Sequence, residues 1–269
     1  MTDHRSDERA GEPDFGDLTS GAPDALARFA HRNGWEFYAY TDEVRLPGLV
    51  FHEPDGSERL MGAAADLVRL PGPLLTEVGT SAYLSQPAGT VVGMRWGYIA
   101  LQLDVPVAPF VLQSRRTARL RPLPTLPVLP KGARPSLVGD GDRTFELYTD
   151  AGSQSAARAL LTGRILSLLD DGEVAFALEA TPGWLFVYSP EPLSTRDARV
   201  WRRVLALIDA LRSQTASVAT SHAGIGTMVA LPMRSNAGAV DRRRVIAYYA
   251  AAAAVAGVLA AVVAVFMPR

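Results

Sequence analysis

Few side chains in this sequence are spaced for catalysis. The four histidines, His4, His31, His52 and His222, are scattered, and none lies three or four residues from another, so neither a metal-ligand pair nor a His-Glu-x-x-His helix is present. Ser221 beside His222 makes no dyad without a scaffold to hold both. The glycines of "GTVVGMRWG", Gly89, Gly93 and Gly97, would need a following Lys and Ser or Thr to cradle phosphate, and Trp96 and Tyr98 stand there instead. Asp140 and Asp142 in "VGDGDRTF" hint at a calcium loop but lack the further oxygen ligands and the closing glutamate, which leaves a turn. Asp42, Glu43 and Asp104 are the acids best placed for chemistry, each next to an aromatic strand pattern, although turn and strand-face positions explain them as well. No cofactor or metal is expected.

A stronger signal is electrostatic. From Gln113 to Pro135, "QSRRTARLRPLPTLPVLPKGARP" carries Arg115, Arg116, Arg119, Arg121, Lys131 and Arg134 without an acid, inside a chain whose net charge is −1. Prolines 122, 124, 127, 130 and 135 disfavour a helix and predict an extended, polyproline-like loop. Such a loop is a candidate contact for anionic lipid headgroups, the alternative being a solvated connection between two lobes. The near-neutral overall balance gives no reason to expect nucleic acid as a partner.

What would bring that loop to lipid is the stretch "VIAYYAAAAAVAGVLAAVVAVFM". Val245 to Met267 has no charged residue, and at about 1.5 Å per residue it reaches roughly 34 Å, enough for a hydrocarbon core of about 30 Å. Ten of its residues are alanine, so six valines with Ile246, Leu259, Phe266 and Met267 supply the driving force. Tyr248 and Tyr249 sit one turn inside Arg242, Arg243 and Arg244, where an aromatic belt belongs, and those arginines predict that the preceding body is cytoplasmic. With no signal-peptide pattern at the N-terminus, the expectation is a tail-anchored, single-pass membrane protein. Ala253, Gly257 and Ala261 form a small-residue ridge on which two spans could pack, a candidate route to self-association. The absence of cysteine excludes disulfides and thiolate metal sites.

The positioning elements follow from pattern. Residues 1–24 hold seven acids and few large apolar side chains, which predicts a disordered acidic tail. Residues 25–214 form the expected cytoplasmic domain, with 113–135 as a possible junction of two lobes, and residues 215–241 read as a flexible linker. Leu26, Phe29 and Ala30 share a helix face that Gly34 ends. In "YIALQLDV", Ile99, Leu101, Leu103 and Val105 alternate with Tyr98, Ala100, Gln102 and Asp104, the period of a half-buried strand, with the neighbouring glycines marking a hairpin. "RTFELYTD" reads as a strand, "SQSAARALLTGRILSLLDDG" as a helix, and "EVAFALEA" with "WLFVYSP" as a hairpin turned at Pro182 and Gly183. A last helix carries Trp201, Val204, Leu205, Ile208 and Leu211 in one stripe, with Ser194 and Asp197 as a capping box. The fold class is α+β, a mainly antiparallel sheet with helices on one face, followed by a C-terminal transmembrane helix.

The stretches "GMRWGYIALQLDVPVAPFVLQ" and "FELYTDAGSQSAARALLTGRILSLLDDGEVAFALEATPGWLFVYSP" resemble bacterial, mainly actinobacterial, membrane-associated proteins of unknown function. The resemblance implies a fold and a membrane association and no chemistry. The resulting expectation is a membrane-tethered cytoplasmic binding or scaffolding module, with an enzyme acting on a lipid or envelope precursor at the inner face of the membrane as the less favoured alternative.

Overall fold

The computed structural model describes residues 13–20, 22–42, 44–53, 62–85, 92–120, 122–127, 137, 141–172, 174–221 and 233–235. The span predicted at Val245–Met267, its flanking Arg242, Arg243 and Arg244, and the ridge of Ala253, Gly257 and Ala261 lie outside them, as do Glu43, Arg121, Lys131 and Arg134. Among the described residues no helix is long and apolar enough to cross a membrane.

A short 3₁₀ turn at Gly16–Ser20 leads into helix α1, Ala25–Arg32, whose Leu26, Phe29 and Ala30 are buried as their spacing predicts. Gly34 ends the helix at φ +70°, a conformation open to glycine at little cost. The chain then enters β1 (Glu36–Thr41), β2 (Ala63–Leu70), β3 (Thr76–Ser85), β4 (Val92–Gln102) and β5 (Phe110–Ser114). Helix α2 (Arg115–Leu120), β6 (Thr125–Pro127), α3 (Gly141–Thr144), β7 (Phe145–Thr149), α4 (Gln154–Leu160) and α5 (Gly163–Leu169) follow. The hairpin β8 (Ala177–Thr181) and β9 (Trp184–Ser189) precedes α6 (Ala198–Ser221) and β10 (Met233–Ser235).

Eight strands form one antiparallel sheet in the order β1, β2, β3, β4, β9, β8, β5, β7, while β10 pairs separately with β6. Strands from both sides of the basic stretch belong to this sheet, so the two-lobe division is replaced by one continuous layer. Helices α1, α4, α5 and α6 cover one face through Phe29, Leu160, Ile165, Trp201, Ile208 and Leu211, all at most 2% exposed. The other face is covered mainly by backbone without regular structure: Leu46, Leu49, Val50 and Phe51, with Leu123 and with Leu126 of β6, pack on Tyr98, Ala100, Phe186 and Tyr188.

That second cover corrects the half-buried reading of β4, because Tyr98, Ile99, Ala100 and Leu101 are all fully buried. Alternation in the sequence reflected two different cores, not a core and a solvent face. Nor do the glycines of β4 turn a hairpin; Gly93 and Gly97 pair within the strand with Leu84 and Thr80. At Gly97 the loop after β9 crosses closely, and a Cβ there would lie 2.2 Å from the Glu191 carbonyl oxygen and 2.8 Å from the Leu193 nitrogen. Both are backbone atoms with little freedom to yield. Gly97→Ala should therefore cost about 2 kcal/mol in urea unfolding, within the usual range for overpacking. Gly93→Ala, with no atom within 4 Å of its Cβ, is the control and should cost little.

Four boundaries also move. Phe15 and Leu18 pack into the first core, so residues 13–24, assigned by composition to a tail, join the body where they are described. The single helix expected over residues 153–172 is two, α4 and α5, since the Thr162 hydroxyl accepts from the Ile165 amide and starts a new N-terminus. Asp197 itself caps α6 by accepting from the Arg199 amide at 2.8 Å, which displaces Ser194 from that role. Finally α6 runs on to Ser221 with Thr215 and Val218 buried, so the linker cannot begin at residue 215.

Candidate functional site

The basic stretch opens with a helix after all. Its first proline comes at 122, leaving residues 115–120 unobstructed, and Ser114 at the N-cap accepts from the Thr117 amide at 3.4 Å. Thr117 donates to the Ala175 carbonyl oxygen at 2.7 Å and fastens α2 across the end of the sheet where β5 stops and β7 starts. There α2, α3 and α5 enclose a groove of about 800 Å³ lined by Arg115, Arg116, Arg119, Arg143, Thr144, Phe145, Leu166, Ser167 and Asp170.

Three of the six basic residues singled out from sequence thus meet in one place, and a fourth arginine, Arg143, joins them from another part of the chain. Two have structural duties as well. Arg116 pairs with Asp170 and donates to the Gly172 carbonyl, while Arg115 donates to the Asp142 carbonyl at 3.0 Å and comes within 4.0 Å of Glu146. Arg119 is exposed and makes no ion pair among the described residues. Asp142, considered above as a calcium ligand, accepts from the Leu137 amide at 2.7 Å and opens α3. Among the described residues no cluster of carboxylates and histidines suits a metal.

A second cavity, about 760 Å³, lies between the segment Val44–Glu53 and strands β2 and β3. Asp42, Arg45, Phe51, His52, Arg69, Glu77 and Tyr83 are among its lining residues. Asp104 is exposed in the bend after β4 and lines neither cavity, so Asp42 and Asp104, the two described acids of the three weighed for catalysis, do not converge.

Beside this cavity lies a polar arrangement that sequence reasoning missed. Strand register puts Glu36, Arg69, Glu77, Ala100, Phe186, Glu179, Val111 and Tyr148 in one row across all eight strands. Glu77 and Glu179 are therefore three strand spacings apart, roughly 14 Å. In the next row on that face Tyr98 and Tyr188 stand opposite each other, and each reaches outward to one acid. The Tyr98 hydroxyl donates to Glu77 at 2.9 Å and that of Tyr188 to Glu179 at 2.6 Å. Gly79 opposite Tyr98 makes room for the ring, since a Cβ would lie 3.0 Å from it.

The two acids differ in their neighbours. Glu77 is also bound by Arg69 at 3.1 Å, an internal counter-charge. Glu179 has no cation among its described partners. Its Oε2 takes the Leu49 amide at 2.9 Å together with the Tyr188 hydroxyl, and burial pushes its carboxyl up to about 7 despite those two donors. Burial and the adjacent carboxylates likewise push Tyr98 and Tyr188 well above the usual phenol value. Glu179 therefore latches the segment Val44–Glu53 onto the sheet. Gly48 lets it lie close, because a Cβ there would come 2.2 Å from the Tyr188 oxygen and 3.0 Å from the Phe186 ring. One signal was legible in sequence: a lone acid inside the apolar run "AFALEA", facing a tyrosine nine residues on across a hairpin.

No family model matches the sequence, and no curated protein matches it. Among solved structures, the crystal structure of the mycobacterial trehalose monomycolate transport factor A, TtfA, aligns at 14% identity with a TM-score of 0.39, over 76% of this chain and 96% of that one. A likeness at this level says nothing of ligand or activity.

Proposed function

We propose that this protein is a binding module held at the cytoplasmic face of a membrane by the apolar segment Val245–Met267, with the arginine groove turned toward anionic lipid. The observation that carries the reading is the assembly of Arg115, Arg116, Arg119 and Arg143 around one groove, in which Asp170 is the single carboxylate among the described lining residues. Each arginine near an anionic leaflet contributes about 1 kcal/mol, enough in combination to orient a tethered body. Binding is favoured over catalysis because the acid shifted to about 7, Glu179, serves the latch and lines neither cavity. Glu77, which does line one, is committed to Arg69 and Tyr98.

The test is flotation of residues 1–240, which keep every described element and lack the apolar segment. Binding to phosphatidylglycerol vesicles is expected at about 0.1 M salt and should be lost near 1 M, where the Debye length falls to about 3 Å. Replacing Arg115, Arg119 and Arg143 by Ser should abolish it, with Arg116 kept because it holds Asp170. Absence of binding at low salt overturns the reading.

A further inference from the structure

We propose that the cavity beneath the segment Val44–Glu53 binds a small amphipathic monocarboxylate, its acid on Arg69 and its apolar body against the segment. This site is separate from the arginine groove and stands independently of the membrane reading. Arg69 on β2 faces Glu77 on β3 in register, and its Nε donates to Glu77 Oε2 at 3.1 Å. The Tyr38 ring lies against the guanidinium, its centroid 5.1 Å from the central carbon. One edge and one face are thus fixed, while the two terminal nitrogens have no hydrogen-bond partner among the described residues. Those nitrogens form an edge that matches a second carboxylate two bonds at a time. Arg45, exposed at the rim and without an ion pair among the described residues, adds positive charge to the same cavity.

The volume of about 760 Å³ exceeds a bare carboxylate and lies within the range usual for small-molecule sites. Val44, Leu46, Val50 and Phe51 of the segment, with Leu75, give it an apolar wall, and the bond from the Leu49 amide to Glu179 keeps that wall in place. Ser81, four residues beyond Glu77 on the same face of β3, is buried and lines the cavity, yet its hydroxyl makes no hydrogen bond among the described residues. A buried hydroxyl without a partner is costly, and a polar ligand atom relieves that cost. Charge decides how many negative charges the ligand carries. Arg45 and Arg69 are balanced by Asp42 and Glu77 in the described lining, and exposed Glu36 faces Arg69 from β1. Three acids so near disfavour a phosphomonoester at about −1.5 to −2, whereas a single charge fits the free edge of Arg69. A neutral amide forgoes the charge-assisted bonds, which are roughly twice as strong as neutral ones.

The test is titration of the full-length chain in nonionic detergent at pH 7 with hexanoate, hexanamide and hexyl phosphate, which share one apolar chain and differ in charge. Binding is read as amide-exchange protection of residues 44–53 and 63–70. Hexanoate should protect saturably and at least about tenfold more tightly than either of the others. Arg69→Lys keeps a positive charge beside Glu77 but removes the forked edge, and should weaken hexanoate by about tenfold, the usual effect of losing one charged hydrogen bond. Unchanged exchange in residues 92–102 shows that this variant keeps the sheet. Arg45→Gln, at an exposed position without an ion pair among the described residues, should weaken binding by a smaller factor. Equal protection by hexanamide, tighter binding of hexyl phosphate, no protection by hexanoate, or an Arg69→Lys protein that binds hexanoate as the wild type does would each overturn the site.

Discussion

Trp201→Ala should lower the stability of the body by about 3–5 kcal/mol, the range for truncating a buried tryptophan. The side chain is fully buried, with its ring 5.0 Å from Phe29 and 5.8 Å from Trp35. Its indole nitrogen donates to the Thr195 carbonyl at 2.8 Å, so the residue joins α1, α6 and the approach to α6 in one cluster. Removing it leaves a cavity where two elements far apart in sequence meet, and neither the sheet nor the short helices can close around it. For a body of this size the melting temperature should drop by about 10 °C. Trp201→Phe keeps most of the packing and should lose much less. A Trp201→Ala protein that melts within a few degrees of the wild type would show that α6 is not docked on α1. The consequence reaches beyond stability, because α6 is the last long element among the described residues on the way to the segment proposed as an anchor.

What the sequence made legible was local. The hairpin of β8 and β9 was readable because its turn needs Gly183, found at φ +74°, and both strands are short apolar runs of matched length. Helices α1 and α6 announced themselves by one apolar stripe each, as did the α+β class and the placing of helices on a single face. The second cover of the sheet left no such trace. Leu46, Leu49, Val50 and Phe51 bury themselves at no helix or strand period, because their backbone is held by a carboxylate from 130 residues away. Alternation cannot distinguish solvent from a second core, so β4 looked half-exposed. The proline count of the basic stretch concealed α2, since composition averaged over 23 residues hides six without a proline. The arginine groove was half readable: Arg115, Arg116 and Arg119 are a visible charge run, but Arg143 and Asp170 arrive through the pairing of β5 with β7 and the docking of α5, which no spacing records.

The row of polar groups beneath the Val44–Glu53 segment gives the second large effect, a stability that declines as pH rises toward neutrality. Glu179 keeps its proton in the folded protein up to about 7, against an ordinary value of 4.5. Between those two values the unfolded chain has ionised and the folded one has not, so the native state holds the extra proton. The contribution of the protonated acid is complete below about 4.5, shrinks through the interval and is gone above 7, at about 1.4 kcal/mol per unit and roughly 3 kcal/mol in all. Asp14, Asp24, Asp150 and Asp197 are held below their usual value, the first by the Gly16 amide and Arg32 and the second by Arg28; for Asp150, hydrogen bonds from Ser153 outweigh burial, and for Asp197 the Arg199 amide and guanidinium act. Their contributions have the opposite sign and vanish only in stronger acid, which leaves the window from about 5 to 8 to Glu179. Because one oxygen accepts both the Leu49 amide and the Tyr188 hydroxyl, glutamine reproduces the protonated acid with its amide nitrogen in place of the other oxygen. Glu179→Gln should therefore match the wild type near pH 5, exceed it by roughly 3 kcal/mol at pH 8, and show a nearly flat urea midpoint between them. Amide exchange at Leu49 should follow the same course, protected at pH 8 only in the variant once intrinsic rates are corrected. Parallel pH profiles for the two proteins would mean that Glu179 is ionised and solvated in the native state, and that something other than this carboxyl holds the segment down.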